Sequence, residues 1–135
     1  FRVSSSLDKS VGKQFLTDGS PETCWTSTQG LPQFIQLTFR SPVIPKRASI
    51  TFQGGFVGTR CRLEVPESGD GTSKSTWKPW TEIFPEDVNR AQTFDLVPDD
   101  TVLRGVGGLR LVFEQSSDFF GRITVYDLQL LGTVI

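Results

Sequence analysis

Histidine is absent from this chain of 135 residues. Because histidine is the commonest general base and a common metal ligand near neutral pH, no Ser–His or Cys–His catalytic pair can form. The carboxylate pairs Glu86–Asp87 and Asp99–Asp100 remain as catalytic candidates, since two carboxylates suffice for glycoside hydrolysis. Both pairs lie in polar, turn-like stretches, where neighbouring carboxylates are usually solvated. We therefore predict that the chain is not an enzyme.

Cysteine and asparagine are scarce. The two cysteines, Cys24 and Cys61, have no histidine to complete a zinc site with them. A disulfide between them would add about 3–4 kcal/mol of stability, but a domain of this size can be stable without one, so we predict two reduced thiols. The single asparagine, Asn89, is followed by Arg90 and Ala91, so the chain has no N-glycosylation sequon. Both features favour an intracellular protein.

The chain has neither an excess of positive charge nor long apolar runs. Its net charge is −1, whereas proteins that bind nucleic acid or anionic membranes normally carry a positive excess. We therefore expect no direct binding to nucleic acid, and the short apolar runs predict no transmembrane segment. The sequence starts at Phe1 and contains no methionine, so we expect a trimmed or processed chain, or one whose start is missing; removal of a signal peptide remains open.

Apolar residues recur at every second position through most of the chain. Such alternation predicts strands that present one face to a core. The clearest examples are 35–39, 61–65 and 109–113, and further candidates are 48–53, 80–84, 92–97 and 122–131. No window of ten or more residues shows a convincing helical period.

Glycine and proline separate these predicted strands. Pro42 and Pro45 are expected to follow the end of the first strand, the stretch Ser68–Ser73 to form a solvated loop, and Gly105–Gly108 to form a turn. Seven or eight short strands with such punctuation predict an all-β sandwich or jelly roll. No repeat or linker divides the chain, so residues 1–135 are expected to form one domain.

Three segments carry further signals. In 15–27, Asp18-Gly19 favours a turn because glycine tolerates positive φ and aspartate bonds its own backbone, and Trp25 is the expected core anchor. Segment 53–60 is a glycine-rich loop, and 118–123 leads into a closing strand that ends at Gly132. In this order and spacing the segments resemble the discoidin, or coagulation factor type C, family from about Val11 to Gly132. The resemblance implies a discoidin-like, galactose-binding-like jelly roll of about eight strands.

Within that family, segments 53–56, 84–87, 92–94 and 118–122 resemble those of small single-domain members associated with an orphan nuclear receptor. The resemblance implies a non-enzymatic protein of the nucleus or cytoplasm that binds a protein partner, such as a nuclear receptor, and represses transcription. Extracellular discoidin domains usually join their two ends by a disulfide, whereas both cysteines here are internal. This departure speaks against an extracellular role in binding lipid or collagen.

The resemblance also places loops 53–60 and 118–122 together at one end of the sandwich, as a recognition surface. Aromatic and arginine side chains dominate interface energetics. Because adjacent residues on a strand point to opposite faces, we expect one of the two neighbouring phenylalanines at 119 and 120 to fill the core. The predicted partner-binding residues are Gln53, Phe56, Arg60, Asp118, Phe119, Phe120 and Arg122.

Two other functions remain open at this point. The first is a carbohydrate-binding module, in which Trp77, Trp80 and the loop phenylalanines would form an aromatic platform for a glycan. The second is a structural subunit of a larger assembly, such as a ciliary or ubiquitin-ligase complex, because discoidin-like folds also serve that role.

Asp127 interrupts the alternation of the closing strand. Ile123 and Val125 define an apolar face, and the same phase places Asp127 on it. An ionised carboxylate in an apolar setting is costly unless it is paired or bound to a metal. A β-bulge could turn Asp127 to solvent, or an arginine such as Arg2 or Arg110 could neutralise it.

A calcium ion is the third way to accommodate Asp127. The discoidin resemblance implies such an ion between the Asp-Gly turn and an acidic residue of the last strand. The matching oxygens would come from Asp18, Thr23 and Asp127, helped by backbone carbonyls, as a hard cation requires. Calcium is therefore the one cofactor that the sequence raises.

Overall fold

The computed structural model describes residues 2–18, 20, 22–67 and 76–134. Two short 3₁₀ helices lie near the start, and the remaining elements are β-strands. The predicted loop Ser68–Ser73 and Gly19 of the predicted Asp18-Gly19 turn lie outside the described residues. In chain order the elements are β1 (Arg2–Val3), η1 (Lys9–Val11), η2 (Lys13–Leu16), β2 (Trp25–Thr26), β3 (Gln33–Phe52), β4 (Arg60–Pro66), β5 (Trp77–Ile83), β6 (Ala91–Asp95), β7 (Val106–Gln115) and β8 (Thr124–Val134).

Strand β3 belongs to both sheets of the sandwich. Its first part pairs with β1 and β7, and its second part pairs with β8 and β6, always antiparallel. The two sheets are therefore β1-β3-β7-β4-β5 and β6-β3-β8-β2. Gln33 at the start of β3 pairs with Phe113, and Phe52 at its end pairs with Val125. Both ends of β3 thus lie beside the loop that joins β7 to β8, in the all-β, eight-stranded jelly roll that the sequence predicts.

The expectation that Pro42 and Pro45 lie beyond the end of the first strand is wrong, because both lie within β3. Proline lacks the N–H that a regular ladder needs, but it is tolerated at bulges. The register of β3 shifts between Thr38 and Val43 and again between Pro45 and Arg47. These irregularities let the strand bend from one sheet into the other without ending.

The predicted turn at Gly105–Gly108 is also shorter than expected. Gly105 has φ +84°, a left-handed conformation that suits glycine. Strand β7 already begins at Val106, so Gly107 and Gly108 are buried strand residues, and Gly108 pairs with Thr38. Glycine inside a strand fits a place where backbones approach closely.

The core lies between the two sheets and contains the apolar halves of the alternating segments. Trp25 is fully buried, as predicted, and its indole Nε1 donates to the Ser5 carbonyl at 3.0 Å. Phe52 and Phe113 pack edge to face with ring centroids 5.8 Å apart. Both thiols are free: Cys61 is buried in the core, where burial raises its pKa, and Cys24 is half-buried.

A β-bulge accommodates Asp127. Thr51 pairs with Asp127 and Phe52 with Val125, so Tyr126 is the extra residue. The bulge changes the phase of β8, so that Val125 and then Leu128 point into the core while Asp127 is half-exposed. Of the two non-metal explanations, the bulge is the one present. Of the two arginines predicted as partners, Arg110 is hydrogen-bonded to Gln36 at 2.7 Å, and Arg2 lies opposite Gln36 in the other sheet.

Among the described residues, none of the helices is of a length and apolarity that could cross a membrane.

Candidate partner-binding surface

Three loops meet beside the two ends of β3, and we call them together the apical surface: 27–32, 53–60 and 116–122. Thr124 at the start of β8 donates to the Phe56 carbonyl at 3.0 Å, and Ser117 donates to the Val57 carbonyl at 2.9 Å. Gly30 donates to the Phe120 carbonyl at 2.9 Å. The structure therefore brings loops 53–60 and 116–122 together, as the resemblance implied, and adds a third loop.

Loop 116–122 is held by hydrogen bonds within itself. The Ser116 hydroxyl accepts from the Asp118 N–H at 3.0 Å and donates to the Arg122 carbonyl at 2.7 Å. Gly121 donates to the Asp118 carbonyl at 3.0 Å and has φ +80°, which another residue would rarely adopt. These bonds fix the loop tip before any partner arrives.

The tip of this loop exposes two aromatic rings. Phe119 is 94% exposed and Phe120 is 53% exposed. The rings pack edge to face, with centroids 5.3 Å apart and planes at 90°. The expectation that one of them fills the core is wrong, because both residues lie in a turn, where the strict two-face alternation of a strand does not apply.

Arg122 links the tip to loop 53–60. Its guanidinium carbon lies 5.1 Å from the centre of the Phe56 ring and 5.8 Å from that of Phe120, within cation–π range. The same side chain donates to Asp118, and this hydrogen bond holds the pKa of the Asp118 carboxyl below its usual range and raises the pKa of Arg122. The charge of Arg122 is therefore balanced within the surface, which leaves mainly apolar groups exposed.

The other two predicted residues, Gln53 and Arg60, contribute differently. Gln53 closes the turn of its loop, where its carbonyl accepts from the Phe56 N–H at 3.0 Å. Arg60 pairs with Glu82 at 3.3 Å, and this contact raises the pKa of the guanidinium. The contacts of Arg60 are thus with a neighbouring strand and not with the apical aromatic rings.

Sequence reasoning named neither Leu31 nor Phe84 as a partner-binding residue. Leu31 is 41% exposed, and a Cβ at Gly121 would lie 3.1 Å from its Cγ, so it borders the aromatic tip. Phe84 is 64% exposed and follows β5. The next loop supports 53–60, because the Asp87 carboxylate accepts from the Gly55 N–H at 2.8 Å. Isolated apolar residues in loops have no periodic pattern by which a sequence could reveal them.

The structure places two of the three residues predicted to bind calcium, Asp18 and Thr23, in direct contact. Asp18 accepts hydrogen bonds from the Ser20 N–H and the Thr23 hydroxyl, and these bonds lower its pKa. Asp127 lies opposite Thr51 on β8. Among the residues that the structure describes, no three of His, Cys, Asp and Glu come together. Calcium takes six to eight oxygen ligands, so backbone carbonyls would have to supply most of them beside the two carboxylates, and the calcium site stays a prediction.

The two tryptophans suggested for a glycan platform are half-buried in the sheet β1-β3-β7-β4-β5. The Arg110 guanidinium lies 4.5 Å from the Trp77 ring centre and 4.9 Å from that of Phe34. The indole N–H groups of Trp77 and Trp80 are buried and have no hydrogen-bond partner among the described residues. One face of Trp77 is thus covered by Arg110, so it cannot stack on a sugar from that side.

Comparisons with known proteins give close relatives in sequence. The nuclear receptor 2C2-associated protein of Danio rerio is 42% identical over 135 residues, covering 97% of this chain and 89% of that protein. The protein of the same name from Xenopus laevis is 41% identical, and the match covers 97% of this chain and 91% of that protein. The one from Homo sapiens is 37% identical, with 97% of this chain and 89% of that protein covered. No family model matches the chain.

Solved structures with a similar fold include carbohydrate-binding modules. Chitosan-binding module 1 of a Paenibacillus sp. IK-5 chitosanase/glucanase has a TM-score of 0.77 at 15% identity, covering 97% of this chain and 92% of that one. The family 32 module of Clostridium perfringens NanJ, solved with galactose, has a TM-score of 0.73 at 14% identity, with 96% and 90% covered. At these identities the likeness shows the fold alone, which is the discoidin-like, galactose-binding-like jelly roll.

Proposed function

Because this chain belongs to the family of nuclear receptor 2C2-associated proteins, we propose that it is a non-catalytic intracellular module that binds a nuclear receptor. The protein is located in the nucleus or cytoplasm, and its apical surface contacts the receptor. Binding lowers the receptor's transcriptional activity. The name of the relatives suggests the partner, and the geometry of the loops supports the place of contact.

The main observation that supports this proposal is that the Phe119 side chain is 94% exposed. A phenylalanine ring held out in water loses the favourable free energy of burial, about 1.5–3 kcal/mol for a ring of this size. Phe120 and Leu31 extend the same apolar area. Contiguous exposed apolar groups of this kind mark interaction sites, and aromatic anchors are typical of protein interfaces.

The rigidity of the loop also favours recognition. Ser116, Asp118 and Arg122 hold the tip through hydrogen bonds that do not involve a partner. A partner therefore does not have to order this loop, which removes part of the entropic cost of association.

A binding assay with the purified chain and a purified nuclear receptor 2C2 tests the proposal. We expect Phe119→Ala to weaken binding by about tenfold or more, as for a buried aromatic anchor. Leu103→Ala is the matched control, because Leu103 is also an exposed apolar residue at 52% but lies before the start of β7, away from the apical loops. Equal binding of both variants would contradict the proposed surface.

The same variants separate binding from folding and test repression. Because Phe119 makes few contacts that hold the fold, Phe119→Ala should leave the melting temperature almost unchanged. In cells, the variant should lose repression of a receptor-driven reporter, whereas Leu103→Ala should keep it. Co-purification of the chain with a stable multi-protein complex in place of the receptor would instead favour a structural subunit.

Glycan binding is the second candidate, because the similar solved folds are carbohydrate-binding modules. The exposed ring of Phe119 could stack on a sugar, but Asp118 and Arg122 are hydrogen-bonded to each other and offer fewer free groups to sugar hydroxyls. A glycan array separates the candidates. Specific retention on one glycan class, abolished by Phe119→Ala, would favour a carbohydrate-binding module.

A further inference from the structure

A second candidate site lies away from the apical aromatic tip, in an open cavity of about 680 Å³ beside β1 and the two 3₁₀ helices. Its lining contains Arg2, Lys9 and Lys13, from three different elements, and Asp8 is the acidic residue among them. We call it the basic cavity. The lining carries three cationic side chains and one carboxylate in a chain whose net charge is −1, so positive charge is concentrated here.

The carboxylate of Asp8 is already engaged within its own turn. Both the backbone N–H and the hydroxyl of Ser10 donate to Asp8 Oδ1, and these bonds lower the pKa of Asp8. Asp8 therefore stays ionised near neutral pH and caps η1. It offsets one of the positive charges among the described lining residues.

The walls of the cavity are attached to the core. The Trp25 indole donates to the Ser5 carbonyl at 3.0 Å, and the Leu7 N–H donates to the Thr26 carbonyl at 2.8 Å. Leu16, at the end of η2, is fully buried. The basic residues thus extend from segments whose backbones have fixed places, and a ligand would find the cavity largely formed.

Arg2 is near enough to Arg110 for its charge to affect the pKa of that guanidinium. Burial lowers the pKa of Arg110, nearby Glu64 raises it, and the charge of Arg2 lowers it again. A volume of several hundred cubic ångströms is within the range of small-ligand sites.

We infer that the basic cavity binds a phosphomonoester group, from either a small phosphorylated molecule or a phosphorylated side chain. A phosphomonoester carries close to two negative charges near pH 7 and three acceptor oxygens, which suit the excess of cationic side chains among the described lining residues. Arginine supplies a planar fork for two of these oxygens, and the lysines act as point charges. The lining residues Ser6 and Gly12 are near enough to report on the ligand.

An NMR titration of the full chain at about 0.15 M salt, where exposed charges are well screened, tests this site. O-phospho-L-serine should give saturable shifts at the Ser6 and Gly12 amides, and succinate, a dianion without phosphate, should bind more weakly. A phosphoserine peptide and an inositol trisphosphate then distinguish the two sources, because the natural class should bind more tightly. Absence of saturable shifts, or equal binding of succinate, would overturn the assignment.

Charge variants of opposite sign make the test specific. Lys9→Gln and Lys13→Gln should each weaken O-phospho-L-serine binding by about fivefold, whereas Asp8→Asn should strengthen it, because it removes repulsion and asparagine still caps a helix. Lys46→Gln and Asp100→Asn are matched controls at exposed positions outside the lining. Equal weakening by Lys9→Gln and Lys46→Gln would show non-specific attraction and overturn the site. The amide spectrum of each variant verifies its fold.

Discussion

Arg122 contacts one carboxylate oxygen of Asp118 twice, because its backbone N–H and its side-chain Nε each donate to Asp118 Oδ2 at 3.0 Å. The two residues close the loop whose tip carries Phe119 and Phe120. The apical surface therefore depends on a local ion pair four residues apart, and its shape should respond to protonation of Asp118.

The first prediction concerns pH. The pKa of Asp118 is lowered in the folded state, so ionised Asp118 stabilises the fold at pH values above the unfolded pKa, about 3.9. This contribution is lost as the pH falls through the lower, folded-state pKa. We expect Asp118→Asn to lower the melting temperature at pH 7, and the difference from the unmodified chain to vanish as the pH approaches 2. A difference that persists unchanged in acid would show that the charge of Asp118 is not responsible.

The second prediction concerns Gly58, which is buried beside the core. A Cβ at this position would overlap the ring of Phe113, which itself packs on Phe52. We expect Gly58→Ala to lower the free energy of unfolding by about 1–3 kcal/mol, as overpacking does. Gly54→Ala is the control, because its Cβ would meet Asn89 at an ordinary 3.4 Å. Urea unfolding of both variants measures the effect, and a Gly58→Ala protein as stable as the control would refute it.

The third prediction concerns the thiols. Burial raises the pKa of the Cys61 thiol and keeps its sulfur away from reagents in solvent. Cys24 is half-buried, and its Sγ lies 3.7 Å from the Thr26 hydroxyl. A thiol reagent should modify Cys24 readily and Cys61 only at the rate of unfolding, since the thiolate is the reactive form. Under denaturing, non-reducing conditions, two thiols should be counted. A count of zero would indicate a disulfide and argue against an intracellular protein.

The fourth prediction concerns calcium. Because a bulge already accommodates Asp127 and the carboxylate of Asp18 is hydrogen-bonded locally, we expect millimolar Ca²⁺ to leave the melting temperature unchanged. A ligand that bound the folded state would raise it. A calcium-dependent rise that Asp127→Asn abolishes would contradict this expectation and establish the calcium site.

Local patterns in the sequence predicted the strands well and their limits less well. Segments 61–65 and 109–113 lie within β4 and β7, because alternation reflects which face of a strand is buried. Pro42 and Pro45 predicted an interruption that the bulges of β3 absorb. The bulge at Tyr126 was one of three solutions that the sequence left open, since an out-of-phase aspartate does not show how its burial is avoided.

The meeting of two of the apical loops was predicted, whereas their role in binding stays a proposal. The resemblance indicated the two loops that contain Phe56 and Arg122, and these residues are in contact. It also grouped Arg60 with them, but Arg60 lies on β4 and pairs with Glu82 of the neighbouring strand. Leu31 had no sequence signal at all, because its position beside Gly121 depends on loops about 90 residues apart in the chain.

The sequence alone therefore determined the class of the fold and the inward-facing residues, because side-chain alternation is a property of the extended backbone itself. It also excluded histidine chemistry. Only the tertiary structure decided which loops share a surface and which rings reach solvent. Those features follow from the bend of β3, whose two ends pair with β7 and β8, and strand pairing between distant segments is set by the packing of the whole core.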